Sequence, residues 1–281
     1  MDDERPPREL DVNRPNVARM YDYYLGGKNH LPADRAAAEK VIEISGGRVR
    51  EAVRENRDFL GRAVRYLANE HGVRRFLDLG AGLPTKGNVH EAALAAAPDA
   101  RVVYVDNDPV VAAHGRALLV TTPEVSFLEA DLRRPGEIIS ALPEAFTLDR
   151  PVGLLMVACL HFVPDEEDPW GLVAAYARAL PAGSHIVISH VSSDSLPEVM
   201  ARGRDAYKDA NASFEARTGE SIRRLFDGLR VAAPGVVPLN EWRPDPDALP
   251  LRAEFLPVLG GVGQVVRTAP PAGLGDRTER I

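Results

Sequence analysis

The chain contains a single cysteine, Cys159, among its 281 residues. One cysteine cannot form a disulfide within the chain, so cysteine usage gives no sign of an oxidising compartment. The sequence also has no apolar run near the roughly 18 residues that a membrane helix needs, and we find no signal peptide. These features predict a soluble, cytoplasmic protein that makes no contact with a membrane.

The chain also lacks an excess of positive charge, because its 34 basic residues are outnumbered by 41 acidic ones and the formal net charge is −7. Proteins that bind nucleic-acid backbones use clustered Lys and Arg, so we expect no nucleic-acid partner. A small-molecule partner is favoured. The seven histidines are scattered without metal-ligand spacing, so no metal site is predicted, and the sequence does not indicate an oligomeric state.

A short glycine loop follows an apolar run within residues 76–84, and a helical pattern comes next. Strand, tight turn and helix form the first half of a βαβ unit, where such folds bind nucleotides. A dinucleotide loop needs a third glycine, but Thr85 stands at that position, which argues against NAD. The loop residues are predicted to let a cofactor approach the backbone closely. They are Gly80, Ala81 and Gly82.

Three acidic residues are predicted at the ends of three consecutive strands. Asp78, just before the loop, would repel a pyrophosphate and attract an ammonium group, which favours S-adenosylmethionine (SAM) as the cofactor. Asp106 lies about 20 residues beyond the loop, where a carboxylate can accept both ribose hydroxyls, and Asn107 follows it. Asp131 could take the adenine amino group while Leu132 flanks the ring. The alternative for each acid is a helix N-cap or a solvated turn.

Three stretches of the chain carry a resemblance to a known family. Residues 14–29 read RPNVARMYDYYLGGKN, residues 82–91 read GLPTKGNVHE, and residues 260–263 read GGVG. With these stretches the chain resembles the class I SAM-dependent methyltransferases, and more closely a bacterial family of S-adenosyl methyltransferases long catalogued as a domain of unknown function. The resemblance covers nearly the whole chain. It implies a Rossmann-like fold and SAM as the cofactor, and it implies no particular acceptor.

The segment from Asn16 to Leu25 has apolar residues at helical spacing and stops at a glycine pair. A flexible glycine turn followed by hydrogen-bond donors is suited to closing over the carboxylate of SAM, and the family resemblance favours this lid role. The alternative is an amphipathic helix that packs on the sheet. The predicted cofactor contacts in this helix and in the turn that follows it are Tyr21, Tyr24, Gly26, Lys28 and Asn29.

Two more helices are predicted before the first strand, at residues 34–44 and 49–70. Asp34 is predicted to cap the first of them. Three arginines of the second are predicted to form its solvated face, namely Arg54, Arg57 and Arg62. Together with the lid segment, these helices are expected to form an N-terminal cap that shields the cofactor from water.

The alternation of strands and helices predicts an α/β, Rossmann-like methyltransferase fold. Five parallel strands are predicted at 76–80, 101–106, 125–129, 152–158 and 184–190. Two final strands near 235–242 and 254–266 would complete a mostly parallel seven-stranded sheet with a reversed last strand, as the resemblance implies. The predicted organisation is an N-terminal helical cap and lid at 1–72, a SAM-binding core at 73–267 and a flexible tail at 268–281.

The fourth predicted strand is apolar throughout, as a central parallel strand must be. At its end we predict Ala158 as a cofactor contact and His161 as the catalytic residue, a general base with a near-neutral pKa. The alternative is a histidine that packs against the cofactor or caps the next helix. Cys159 is interpreted as a small buried hydrophobe, and the acids at 165–168 as helix caps rather than metal ligands.

The motif [N/D]-P-P-[F/Y/W], which enzymes that methylate amino groups of DNA or glutamine place after this strand, is absent. We therefore predict a methyltransferase acting on an O or N atom of a small molecule. Tyr207 and Phe214 are candidate substrate contacts, with ordinary helix packing as the alternative. Two other functions stay open at this stage: a SAM-binding sensor or interaction module without turnover, and a nicotinamide-dependent oxidoreductase.

Overall fold

The computed structural model describes residues 11–246 and 257–266, and within these ranges it contains one eight-stranded sheet. The order across the sheet is β3-β2-β1-β4-β5-β8-β6, and β7 also pairs with β8. Strands β1 to β5 are parallel, whereas β8 runs antiparallel to β5, β6 and β7. The strands are β1 (Arg75–Leu79), β2 (Arg101–Asp106), β3 (Val125–Glu129), β4 (Gly153–Val157), β5 (His185–Val191), β6 (Leu229–Val231), β7 (Val237–Pro238) and β8 (Val258–Val265).

This sheet confirms the predicted fold class, a mostly parallel Rossmann-like sheet with a reversed strand at the end of the chain. The strand count differs, because the prediction missed β6, an edge strand of three residues. The strand predicted at 235–242 is reduced to the two residues of β7, followed by a 3-10 turn at Leu239–Glu241. Pro234 and Pro238 lack the N–H donors that a longer strand would need there.

The nine helices of the described residues cover both faces of the sheet. They are α1 (Val17–Tyr24), α2 (Pro32–Ile44), α3 (Arg48–Glu70), α4 (Val89–Ala96), α5 (Pro109–Leu118), α6 (Pro135–Ser140), α7 (Pro169–Ala179), α8 (Pro197–Tyr207) and α9 (Gly219–Arg224). None of the helices in this part of the chain is long and apolar enough to cross a membrane.

Consecutive residues of β1 illustrate how the core is divided. Phe76 belongs to a buried cluster with Phe59 of α3, whereas Leu77 belongs to a second cluster with Tyr176 of α7. Side chains of a strand alternate between the two faces of a sheet, and here both faces are covered. For the same reason every residue of β4 is buried, as its uninterrupted apolar sequence predicted.

A third buried cluster joins the N-terminal helices to the segment after β5. It brings together Met20 of α1, Ala38 of α2, Val53 of α3 and Tyr207 of α8. Helix α3 also packs on the sheet through the first cluster. The proposed division into cap, core and tail stays a prediction, and residues 1–10 and 267–281 lie outside the described part of the chain.

Asp34 is not the N-cap residue of α2 as predicted, because the helix begins two residues earlier at Pro32; Asp34 instead helps to cap the helix from the third helical position, where its side chain accepts from the backbone of the N-cap Leu31. Its carboxylate is fully buried and accepts hydrogen bonds from the backbone N–H groups of Leu31 (2.7 Å) and Asn16 (2.8 Å). Nε of Arg19 also lies 2.6 Å from it. Asp34 therefore fixes the start of α1 against α2.

Arg62 is not part of a solvated face. Its side chain is buried and donates to the carbonyl groups of Leu239 (2.6 Å) and Trp242 (3.1 Å), and it forms an ion pair with Glu55 at 2.7 Å. Arg54 is exposed as predicted. Arg62 thus joins α3 to the turn that follows β7.

Candidate functional site

The glycine loop lies at the carboxyl end of β1, between β2 and β4. Chain order reverses at this point of the sheet, and ligands of such sheets bind at this kind of crevice. Gly80 has φ +69° and donates its N–H to the Val105 carbonyl at 2.8 Å. A Cβ built on Gly80 would lie 2.7 Å from Cβ of Cys159. The loop therefore packs tightly against β2 and the end of β4.

Asp106 ends β2 and receives two backbone hydrogen bonds. Its Oδ2 accepts from the N–H of Gly82 at 2.9 Å, and its Oδ1 accepts from the N–H of Asp108 at 3.0 Å. Asp108, and not Asp106, is the N-cap of α5. Burial raises the pKa of Asp106 to about 6, although these hydrogen bonds act in the opposite direction.

Asp78 lies below the loop and is nearly inaccessible to solvent, with 5% of its surface exposed. Burial raises its pKa to about 7, the nearby charge of Arg57 lowers it, and Asp106 raises it further. A carboxylate in this position is poorly solvated. It is therefore suited to a cationic group of a ligand.

A cavity of about 220 Å³ opens above these residues. Ten of the fourteen predicted cofactor contacts line it, and the structure thus brings residues from five separate segments to one place. They are Tyr21, Asp78, Gly80, Ala81, Gly82, Asp106, Asn107, Asp131, Leu132 and Ala158. Asp131 is half-buried and accepts a hydrogen bond from the N–H of Arg133 at 3.0 Å.

The other four predicted cofactor contacts lie elsewhere. Tyr24 lines a second cavity, and its hydroxyl lies 3.0 Å from that of Tyr207. Gly26, Lys28 and Asn29 are exposed and line neither cavity. The turn is held to α1 instead, because the buried Asp22 carboxylate accepts from the N–H of Asn29 at 2.8 Å. These four residues therefore do not line the first cavity, and their contact with the cofactor stays a prediction.

The second cavity has a volume of about 120 Å³ and lies between α1, α2, α3 and α8. Its wall is largely apolar and contains His161, Tyr207 and Phe214. The two cavities adjoin, because five residues line both of them. These shared residues are Val17, Tyr21, Asn56, Ala158 and Phe162.

A continuous chain of hydrogen bonds runs along this shared boundary. The N–H of Ala158 donates to Oγ of Ser189 (2.9 Å), which donates to Oδ1 of Asn56 (2.5 Å). Nδ2 of Asn56 donates to the Tyr21 hydroxyl (2.9 Å), which donates to the Val53 carbonyl (3.2 Å). Ala158 has φ +57°, an unfavourable conformation for a residue with a Cβ, and such strain concentrates at functional sites.

His161 lies on a short 3-10 turn after β4, and its ring belongs to the wall of the second cavity. Burial, together with His190 and Arg217, lowers the pKa of His161 well below its ordinary value. Its Nδ1 is buried and has no hydrogen-bond partner among the described residues. The ring is therefore a neutral hydrogen-bonding group rather than a strong base.

Arg217 holds the turn that carries His161. Its guanidinium is buried and donates to the carbonyl groups of Leu160 (3.0 Å) and Val163 (2.6 Å), which flank the turn. It also donates to the Asp165 carboxylate at 2.6 Å. Of the acids at 165–168 that were predicted to cap a helix, Asp168 caps α7 by accepting from the N–H of Gly171. Asp165 instead accepts from Arg217. Arg217 was not predicted as a site residue.

Arg57 was predicted to lie on a solvated face of α3, but it lines the first cavity. Its Nη2 donates to the Gly87 carbonyl at 2.7 Å, and its buried Nε has no hydrogen-bond partner among the described residues. Arg57 follows Val53 by four positions and precedes Leu60 by three. This spacing puts it on the buried face of α3, and that signal was present in the sequence.

Cys159 is buried, and burial raises the pKa of its thiol. Within residues 11–246 and 257–266, no group of three or more His, Cys, Asp or Glu side chains could hold a metal ion.

The strand order, the reversed β8 and the acid-lined glycine loop at the switch point define a class I SAM-dependent methyltransferase fold. The sequence profile of the S-adenosyl methyltransferase family matches residues 3–266, and the chain belongs to that family. The protein is therefore a SAM-dependent methyltransferase, and its cofactor is SAM. This assignment confirms the family that the sequence resembles.

Two crystal structures resemble this chain closely. A DUF574 family protein from Streptomyces avermitilis is 38% identical, with 90% of this chain and 98% of that chain covered and a TM-score of 0.85. A protein from Thermobifida fusca, described as a "putative methyltransferase", is also 38% identical, with 93% and 99% covered and a TM-score of 0.85. No relative is found among curated proteins.

The plantazolicin methyltransferase BamL, solved with a triazolic desmethylPZN analog and S-adenosylhomocysteine (SAH), has a TM-score of 0.52. Its identity is 12%, with 89% of this chain and 96% of that chain covered. At this identity the similarity establishes the fold alone.

Proposed function

We propose that the protein transfers a methyl group from SAM, bound in the first cavity, to an O or N atom of a small molecule bound in the second. The observation that carries the proposal is the pair of adjoining cavities, one lined with carboxylates and the other apolar, that share five wall residues. Methyl transfer requires the two reactants to meet in line and away from water. The shared boundary at Ala158 and Phe162 offers such a meeting point.

The methionine end of SAM carries an ammonium and a carboxylate, and the first cavity offers a group for each. The Asp78 carboxylate would bind the ammonium, and Arg57 would bind the carboxylate with charge-assisted hydrogen bonds. The buried Nε of Arg57, which lacks a partner among the described residues, fits such a ligand.

The nucleoside end would lie along the acids of β2 and β3. Asp106 would accept the ribose hydroxyls, with Asn107 beside it, while Asp131 and Leu132 would flank the adenine. The backbone at Gly82 leaves room for this, because a Cβ built there would meet no other atom within 4 Å.

SAM supplies an electrophilic methyl group: the acceptor lone pair forms a bond to the methyl carbon as the carbon–sulfur bond breaks and its electron pair stays on sulfur. His161 would accept a hydrogen bond from the acceptor O–H or N–H and finally take its proton. A weak base suffices, because the acceptor becomes far more acidic once the methyl group is attached. Catalysis would come mainly from alignment and exclusion of water.

Calorimetric titration with SAM tests the cofactor site. Asp106→Asn should weaken SAM binding by about 1.5–3 kcal/mol, since charge-assisted hydrogen bonds to the ribose are lost. Asp58→Asn is the matched control, because Asp58 is exposed on α3 and lies outside both cavities. Equal affinity of the folded Asp106→Asn variant and the wild type would contradict the ribose assignment.

Turnover is tested separately, by measuring SAH formation against a pool of small metabolites. The proposal predicts SAH above background with at least one fraction of the pool. Absence of SAH over many acceptors would instead favour the alternative, a SAM-binding sensor or interaction module.

A further inference from the structure

The second cavity differs from the first in charge. Among the described residues its wall contains no aspartate, glutamate or lysine. The one charged side chain in that wall is Arg48, which is half-buried and donates from Nη1 to the Ser45 carbonyl at 3.0 Å. An ammonium group would therefore meet a positive charge and find no counter-ion, and burying it there would be costly.

Aromatic rings make up much of the same wall. Tyr207 and Phe214 are stacked with centroids 5.1 Å apart and an interplanar angle of 21°. Phe162 lies 5.9 Å from the first ring and 6.2 Å from the second. Clusters of this kind pack well against another flat ring, by offset stacking or edge to face.

The size of the cavity limits the ligand. Its volume of about 120 Å³ is close to that of an apolar cavity of about 150 Å³ that takes up benzene. One ring with a short substituent is therefore the largest group that the cavity encloses completely.

The polar groups of the wall are nearly all engaged. The hydroxyls of Tyr24 and Tyr207 bond to each other, and Asn56 and Tyr21 belong to the boundary chain. His161 is the exception, because it is 6% exposed and its buried Nδ1 lacks a partner in the described structure. A ligand with one donor could satisfy this side chain, since a neutral imidazole has one nitrogen that accepts.

We propose that the methyl acceptor is a molecule without an ammonium group whose methylated end is a single aromatic ring with one hydroxyl or N–H donor directed to His161. This inference rests on the proposed function, because it assumes that SAM fills the first cavity. The aromatic cluster selects the ring, the lack of counter-ions excludes ammonium groups, and His161 orients the donor atom that receives the methyl group.

Three probes of nearly equal shape test this specificity on SAH-saturated protein by ligand-observed NMR. Benzyl alcohol should bind, toluene should bind at least threefold more weakly because it lacks a donor, and benzylamine should bind at least tenfold more weakly because its ammonium group finds no counter-ion. Benzylamine binding as tightly as benzyl alcohol would overturn the proposal.

A cavity-filling variant locates the probe. A Cβ built on Gly203 of α8 has Cε1 of Phe214 as its nearest neighbour, at 4.0 Å, so Gly203→Leu should occupy the cavity without disturbing the helix. It should abolish binding of benzyl alcohol and leave SAH affinity unchanged. Ala201→Leu, at an exposed position of the same helix, is the matched control. Unchanged binding of benzyl alcohol to Gly203→Leu would overturn the placement.

His161→Gln gives a second readout that does not depend on filling the cavity. Its affinity for benzyl alcohol should fall to the level of toluene, while its affinity for toluene stays unchanged. Equal losses for both probes would contradict the assigned role of His161. If SAH itself failed to bind the wild type, the proposed function would be wrong, whereas SAH binding without probe binding would overturn this inference alone.

Discussion

Nη1 of Arg217 lies 2.7 Å from Nε2 of His190, and because a guanidinium can only donate, this ring nitrogen accepts. Nδ1 of the same ring lies 2.8 Å from the Val191 carbonyl and therefore carries the ring proton. His190 is thus held neutral, in one tautomer, in the interior. Through this contact Arg217 connects β5 to the turn that carries His161.

Arg217→Met should be strongly destabilising. The substitution leaves the carbonyl groups of Leu160 and Val163 without their donor in the interior, and we expect the free energy of unfolding in urea to fall by about 2–4 kcal/mol. Arg230→Met removes an exposed arginine and should stay within about 0.5 kcal/mol of the wild type. A loss below about 1 kcal/mol for Arg217→Met would mean that water replaces the guanidinium.

The buried histidines should make the protein sensitive to mild acid. Burial lowers the pKa of His190 to about 3, whereas the unfolded chain takes up this proton near pH 6.5. Between these values the unfolded state binds more protons, so the free energy of unfolding decreases as pH falls below 6.5, by about 1.4 kcal/mol per unit for each such site. His190→Gln should reduce this slope between pH 6 and 5, measured by urea unfolding. Identical slopes would show that His190 is protonated in the folded state.

The sequence predicted the site residues that lie close together in the chain or stand at the ends of successive strands. Asp78 and the two glycines lie within five residues, and Asp106 ends a strand with an uninterrupted apolar run. The parallel order of the strands then brings these ends to one edge without further information. The first cavity was therefore predictable to a large extent.

The second cavity and the role of Arg62 were not predictable in the same way. The buried guanidinium of Arg62 donates to the carbonyl groups of Leu239 and Trp242, which lie about 180 positions further along the chain. Likewise, Tyr24 meets Tyr207 across 183 positions. Such contacts between distant segments leave no periodic signal in one sequence.

The two glycines of the loop should respond differently to alanine. Both have positive φ, which costs an alanine about 1–2 kcal/mol. Only at Gly80 would the added Cβ also collide, with Cβ of Cys159 at 2.7 Å. Thermal unfolding should therefore show a larger loss for Gly80→Ala than for Gly82→Ala. Equal losses of stability would mean that the backbone at Cys159 moves away from the added Cβ at no cost in free energy.

SAM affinity should depend on pH through Asp78. With a pKa of about 7 in the free protein, Asp78 is increasingly protonated below that pH and loses its attraction for the ammonium. Affinity should thus fall as pH decreases from 7.5 to 5.5, approaching tenfold per unit for one proton. Calorimetry in buffers of different ionisation enthalpy should show protons released on binding near pH 6.5.

Asp78→Asn supplies the comparison for this pH dependence. The variant should bind SAM weakly at pH 7.5 and keep only the dependence that comes from Asp106, whose pKa is about 6. A wild-type affinity that stays constant from pH 7.5 to 6.5 would contradict the assignment of Asp78 to the ammonium group.

The same substitution should stabilise the protein in the absence of SAM. The pKa of Asp78 is about 7 in the folded protein and near 3.8 in the unfolded chain, so between these values the folded state binds more protons and stability falls as pH rises. Above pH 7 Asp78 is ionised in the folded protein, and the free energy of unfolding is reduced by the full cost of burying its carboxylate. An amide avoids this cost, and Asp78→Asn should gain about 1–3 kcal/mol at pH 8 and little at pH 5. Urea unfolding at both pH values measures the gain, with Asp58→Asn as the control. A variant less stable than the wild type at pH 8 would contradict this prediction. It would show that the Asp78 carboxylate stabilises the fold, and does not destabilise it in exchange for SAM binding.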